Sequence, residues 1–318
     1  MHPNQVEAPT ARGGRGLERR GLLLGLAGGA VALTATTASA QEPGRSAARR
    51  HDAGQLVQAV AAPDGVRLST GKVRAGVVTL RATTPDQKQQ HPIGLLRLRP
   101  GLALGTFLTH YQQAATAADP AERRKALELI DAEAVYFGGP AVTYAGGALE
   151  TTWVLSPGTY HVLDYTTATP DHAERVRTLT VTGTRPTGRP RVAPHIVSPY
   201  EDGERGTFLV DPTLPADGAF QVVNQTSQLN EVMFLRTTAD ATEASVTACM
   251  EALRKGEQPP TYPFEGVPTG LTPLQPGASA VFAHSLPPGR YLLTSFISNR
   301  QTLVKRAFEG MWQLVTLR

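Results

Sequence analysis

Apolar residues recur along this chain with two different periods. Short runs bounded by Gly, Pro, Asp and Asn predict strands at 76–83, 93–98, 179–181, 218–224, 232–237 and 314–317. Helical spacing occurs in fewer places. Residues 104–118 carry it, Pro120 suits the first turn of a second helix continued over 122–130, and Ala244, Val246, Cys249 and Leu253 recur with it inside 242–256. The lone cysteine of the chain, Cys249, therefore reads as a small hydrophobe on a helix rather than a reactive or metal-binding thiol. Strands this short, between turn formers, suit β-sandwiches better than a parallel sheet with crossover helices.

One stretch occurs twice. Residues 155–165, Leu-Ser-Pro-Gly-Thr-Tyr-His-Val-Leu-Asp-Tyr, match 286–296, Leu-Pro-Pro-Gly-Arg-Tyr-Leu-Leu-Thr-Ser-Phe, with Leu, Pro, Gly and Tyr in register. Pro-Gly makes a turn, and the alternation after it suits a strand whose Tyr faces a core. The same order of elements precedes each copy: a Gly-initiated strand, an apolar strand, a helical stretch and a Phe-x-Gly segment (Phe137-Gly138-Gly139, then Phe264-Glu265-Gly266). Residues 183–206, polar and rich in Pro and Gly, read as a linker. The expected organisation is a flexible segment at 41–64, a first domain at 65–182, the linker, and a second domain at 207–318. The expected fold class is mostly β, two tandem Greek-key sandwiches, each with a helical insertion.

Residues 1–40 read as an export signal. Arg19-Arg20 precede the apolar run 21–33, and Ala38-Ser39-Ala40 make a small-residue exit before Gln41. The adjacent arginines favour a twin-arginine signal, and the run is shorter than the roughly 20 residues that span a bilayer. The expected mature protein is exported, to the cell envelope or the medium, without a transmembrane span. Its removal takes four Arg and two Glu from 31 basic and 27 acidic residues, so the charge falls from +4 to +2. With no run of basic residues left, nucleic acid is excluded as a partner. A protein partner in the envelope or outside the cell stays compatible with the sequence.

Leu-x-Pro-Gly-x-Tyr, placed twice in this order of elements, resembles the exported bacterial cupredoxins. In that family the first copper-ligand His stands just before the apolar strand. A Cys follows four residues after the motif Tyr, a second His lies in the next loop, and Gly-Met precedes the last strand. Here the resemblance puts His91, Asp164 and His172 at the His, Cys and His positions of the first half, with Val176 or a neighbour where Met belongs. In the second half it puts Asn230, beside Glu231, at the first His and Ser295 at the Cys; the loop 297–309 has no His, and Gly310-Met311 is retained. Blue copper needs a thiolate, and neither half has one. What the resemblance leaves is His91, Asp164 and His172 converging at one end of the first sandwich. Two readings of them stand: side chains of solvated loops, or a non-blue copper or zinc site.

Other chemistry is poorly represented. There is no Gly-x-Ser-x-Gly, no His-Glu-x-x-His and no phosphate loop. His110, His195 and His284 read as structural or exposed, and Trp153 and Trp312 as core. The sequence thus points to a non-catalytic, exported binding or structural protein with degenerate copper positions and no cofactor. The alternative is a carrier of copper or zinc, or less readily an oxidoreductase, built on His91, Asp164 and His172.

Overall fold

The computed structural model describes residues 54–318 except 145, 191 and 204. The export signal read at 1–40 lies outside those residues.

The first half runs β1 (Gln55–Ala62), β2 (Gly65–Leu68), β3 (Lys72–Thr83), β4 (His91–Leu98), α1 (Leu104–Thr116), α2 (Pro120–Glu133), β5 (Ala134–Tyr136), β6 (Pro140–Val142), β7 (Leu149–Leu155), β8 (Gly158–Asp164) and β9 (Arg177–Thr187). One layer is β2-β1-β3-β7 and the other β6-β4-β8-β9. Strand β9 joins them, pairing antiparallel with β8 and then parallel with β3.

The second half runs β10 (His195–Asp202), β11 (Arg205–Val210), β12 (Thr213–Leu214), β13 (Asp217–Val223), β14 (Asn230–Thr237), α3 (Glu243–Lys255), β15 (Phe264–Leu274), β16 (Ser279–Ser285), β17 (Gly289–Thr294) and β18 (Trp312–Leu317). Its layers are β11-β10-β13-β16 and β15-β14-β17-β18-β12. The fold is mostly β, with two sandwiches in tandem, each carrying a helical insertion.

Both sheets run through the junction of the halves. β7 pairs antiparallel with β16 at Thr152↔Val281, and β6 with β15 at Ala141↔Gly270. A single core follows, containing Val78, Leu80, Trp153 and Tyr160 from one half and Phe220, Phe234, Phe282 and Tyr291 from the other.

Two strands are apolar on both faces, for a local reason. In β4, Ile93 and Leu95 enter the central core while Leu96 packs with Phe107 and Leu108 of α1 and Ile130 of α2. In β14, Phe234 enters the core while Leu235 packs with Val246, Cys249 and Met250 of α3. The helical insertions thus cover the outer face of one layer in each half, so those strands read as continuous apolar runs.

Helix ends follow the sequence. Asp119 accepts from the Ala121 amide ahead of α2, with Pro120 in its first turn. Thr242 and Ser245 form a reciprocal capping box on α3, and Gly256 ends it at φ 74°. The repeated motif has a physical basis too. Gly158 and Gly289 adopt φ of 152° and 153°, where a side chain is strained. Two residues on, Tyr160 Oη donates to the Ser156 carbonyl at 2.9 Å and Tyr291 Oη to the Pro287 carbonyl at 2.8 Å. Each ring is buried in the core while its hydroxyl closes its own turn.

Two sequence boundaries are corrected. Residues 55–62, assigned to a flexible lead, form β1, whose Val57, Ala59 and Ala61 face the core. Residues 183–187 and 195–202, assigned to the linker, lie in β9 and β10; His195 is in β10, and Val197 and Ser198 are fully buried there. Their polar and Pro-rich composition hid them, because β10, between β11 and β13, and β9, between β8 and β3, gain stability from ladder hydrogen bonds that composition does not report.

Candidate functional site

His91 opens β4 and is fully buried. Asp164 ends β8, the strand beside it, in register with Ile93. This pairing sets Asp164 Oδ2 at 2.6 Å from His91 Nδ1, while Asp86 Oδ2 lies 3.2 Å from Nε2. The other Asp164 oxygen, Oδ1, accepts from the Thr166 amide and hydroxyl at 2.9 and 2.6 Å. Burial opposes charge on the imidazole, but hydrogen bonds and attraction from Asp164 and Asp86 outweigh it, so the His91 pKa is raised.

The structure thus brings together His91 and Asp164, two of the three candidate ligands. His172 sits in a 3-10 turn, about half exposed, with Nδ1 3.1 Å from Glu174 Oε1. Val176 is buried under α1. Among the described residues no group of three or more His, Cys, Asp or Glu side chains is arranged to hold a metal ion. Copper does not fit the first half as arranged: both ring nitrogens of His91 are taken by carboxylates, and the thiolate position holds an Asp with every oxygen engaged.

The corresponding end of the second half differs: Asn230 Oδ1 and Ser295 Oγ are buried without hydrogen-bond partners. Asn230 Nδ2 donates to Thr226 Oγ1 at 2.8 Å, and Ser295, fully buried, accepts from the Ala307 amide through its carbonyl. Between Ser295 and Met311 the loop buries a cation. Arg306 Nη2 donates to Glu201 Oε1 at 3.0 Å, and Glu201 also receives the Ser227 amide and hydroxyl. Burial acts to raise the Glu201 pKa; these bonds and the guanidinium outweigh it and lower it. A Cβ placed on Gly206 would lie 2.8 Å from both Arg306 Nη1 and Met311 Sδ, so the guanidinium lies near the retained methionine. A buried guanidinium there opposes a second cation.

The open concavity lies elsewhere, between the halves. The centre of a water-sized sphere can move through about 70 Å³ of it. Tyr111 and Ile130, on α1 and α2, and Tyr165, just beyond β8, form one wall; Glu231, at the start of β14, with Pro273 and Phe296, forms the facing wall. Tyr165 is 7% exposed, and its hydroxyl has no hydrogen-bond partner. Its ring lies against Gly94 of β4, where a Cβ would stand 2.5 Å from Cε2 and Oη. Glu231, 3% exposed, receives the Phe296 amide on Oε1 at 2.8 Å. Burial drives its pKa up to about 7, against the Phe296 amide and Lys305. Burial likewise lifts Asp131 to about 6, although Arg300 lies 2.9 Å away. Sequence reading did not select these residues. The one visible signal was Glu231, an acid heading the apolar run Val-Met-Phe-Leu; Tyr165 and the pair Asp131 and Arg300 meet only across the junction.

Trp312, expected in the core, is only partly buried, against the α3 cluster. His110 pairs with Glu133 at 2.7 Å, and Trp153 donates to the Phe137 carbonyl from within the core. His284 is buried among Phe220, Phe234 and Phe282, with ring centroids 4.5, 6.1 and 5.8 Å away.

No family profile matches the chain, and no curated protein matches it. Among solved structures it is similar to the dithionite-reduced auracyanin of the photosynthetic bacterium Roseiflexus castenholzii, with 18% identity over 40% of this chain and 98% of that one (TM-score 0.23). It is also similar to a multicopper oxidase, with 12% identity over 83% of this chain and 88% of that one (TM-score 0.21). A third is the copper nitrite reductase of Nitrosomonas europaea, with 10% identity over 84% of this chain and 94% of that one (TM-score 0.22). The architecture given above rests on the strand pairing itself. Among the described residues no helix is long and apolar enough to cross a membrane.

Proposed function

We propose that the mature chain is an exported, non-catalytic binding protein made of two cupredoxin-like domains without type 1 copper. The carrying observation is the chemistry at the two thiolate positions. Asp164 is committed to His91 and Thr166, and Ser295 lies beside a loop that buries Arg306. A trigonal copper site needs a Cys thiolate with two free imidazoles; the first end instead offers a carboxylate bound to its imidazole, and the second a serine and an asparagine with no imidazole between them. The duplicated turn, with its Tyr-to-carbonyl bond in each copy, supports descent of both domains from one sandwich. The signal pattern at 1–40 supports export.

The contact of His91 with Asp164 favours the second reading, a copper or zinc site completed by His172; the contact of His172 with Glu174 speaks against it. One experiment separates them. The chain is offered Cu(II) and Zn(II), then assayed for bound metal and visible absorption. No stoichiometric metal and no thiolate-to-copper band are expected. A stoichiometric metal that is lost in His91→Ala overturns the metal-free reading. Mature protein starting near Gln41 is expected in the envelope or the culture fluid, and retention of the intact chain in the cytoplasm would defeat export.

A further inference from the structure

We infer that the cavity between the two halves is a binding site for a neutral, mostly apolar small molecule carrying one oxygen acceptor, which Tyr165 Oη and Glu231 receive. The inference deepens the reading of the chain as a binding protein by naming the site and its ligand chemistry.

The walls set the apolar character. Tyr111, Ile130, Tyr136, Pro273 and Phe296 line the cavity, and a concave, mainly apolar surface with a few convergent polar groups is the usual form of a small-molecule site. The polar groups set the head. A buried hydroxyl without a partner is destabilising, so such groups are rare unless something outside the protein pairs with them. Tyr165 Oη is one, and Tyr165 is among the residues that line this cavity. Its position is built in: Gly94 leaves the space that the Tyr165 ring fills, and Tyr111 donates to the Tyr165 carbonyl at 3.3 Å. Tyr111, Tyr165 and Glu231 line the same cavity, where burial above all raises both phenol pKa values and the Glu231 charge adds to it.

Charge in the cavity is balanced, which argues for a neutral ligand. Asp131 is paired with Arg300, and Glu231 feels Lys305 on its own side. With burial favouring the neutral form of Glu231, its carboxyl and Tyr165 Oη can both donate to a carbonyl or ether oxygen.

The test uses the full chain and acetophenone as probe, with ethylbenzene as the partner lacking oxygen and 1-phenylethylammonium as the cation, each titrated by ligand-observed NMR. Acetophenone is expected to bind with a Kd below about 10 mM, the scale set by modest ligand efficiency for so small a molecule. It should bind about fivefold more tightly than ethylbenzene, as one net hydrogen bond implies. Tyr165→Phe should erase that preference while raising Tm, since it deletes an unpaired buried hydroxyl. Glu231→Gln, which keeps a donor, should retain the preference. Equal affinity for ethylbenzene, stronger binding of the cation, no binding of acetophenone, or an unchanged preference in Tyr165→Phe each overturns the inference. Metal uptake in the separate copper and zinc assay bears on the metal-free reading alone, because the cavity holds neither His91 nor Ser295.

Discussion

His91 and Asp164 form a buried pair, 2.6 Å apart, at the position where the cupredoxin resemblance puts the first copper histidine and the copper cysteine. The same strand register that would present a ligand set presents here a carboxylate to an imidazole. The pair ties the start of β4 to the end of β8 and brings Asp86 in from the preceding loop.

Asp164→Ala should therefore destabilise the protein by about 3 kcal/mol or more, since it leaves a buried ring without its main partner. It should also drop the His91 pKa, because burial then acts with only Asp86 opposing it. The folded pKa of His91 is raised above the unfolded value, so the pair's contribution is complete below about pH 6.5 and fades as pH rises through the folded pKa. NMR titration of the imidazole with urea unfolding at several pH values measures both; an unshifted His91 titration would show that Asp164 does not set its charge.

Restoring the sulfur alone should not restore blue copper. In Asp164→Cys, His91 Nε2 still faces Asp86, and His172 still pairs with Glu174 at the surface. Adding Cu(II) to this variant should give no intense thiolate-to-copper absorption. Its appearance would mean that the His172 turn closes onto the site.

Two buried groups tilt stability in opposite directions with pH. Burial lowers the His284 pKa to about 4 among its three phenylalanines, so stability falls by about 3 kcal/mol as pH drops from 6.5 to 4 and the unfolded chain alone takes the proton. Burial raises Glu231 to about 7, so its contribution is complete below 4.5 and falls by about 3 kcal/mol as pH climbs to 7. Chemical denaturation from pH 4 to 8 should show that Glu231→Gln removes the loss on the alkaline side and His284→Phe the loss on the acid side. Parallel pH profiles for wild type and both variants would refute the assignment.

The motif tyrosines close their own turns. Tyr160→Phe and Tyr291→Phe should each cost about 1 kcal/mol, the net value of one intramolecular hydrogen bond, with little change in packing. Equilibrium unfolding of the two variants checks this, and a loss in one half only would show that the two turns are not equivalent.

Much of the fold was legible along the chain because its signals are local. Short apolar runs between turn formers marked the core strands, Pro120 and the spacing within 242–256 marked helices, and Pro-Gly with a Tyr two residues later marked the duplicated turn. Strand β10 escaped because Pro199 and its polar residues resemble a linker, and β1, an alternating stretch of Val and Ala with no Gly or Pro, because the sequence just before it is rich in Arg, Pro and Gly; pairing with β13 and β3 makes them strands.

For the candidate site, the chain alone determined that no Cys stands four residues after either motif Tyr, where the cupredoxin resemblance puts a copper thiolate, since that depends only on residue type and place in a local motif. Tertiary structure decided what the remaining residues do. It joined His91 to Asp164 through strand register, turned His172 to Glu174, and formed the cavity of Tyr165 and Glu231 where two sheets continue from one half into the other. Those contacts link residues far apart in sequence, and the distance between such side chains is set by how layers pack, which no local pattern of residues encodes.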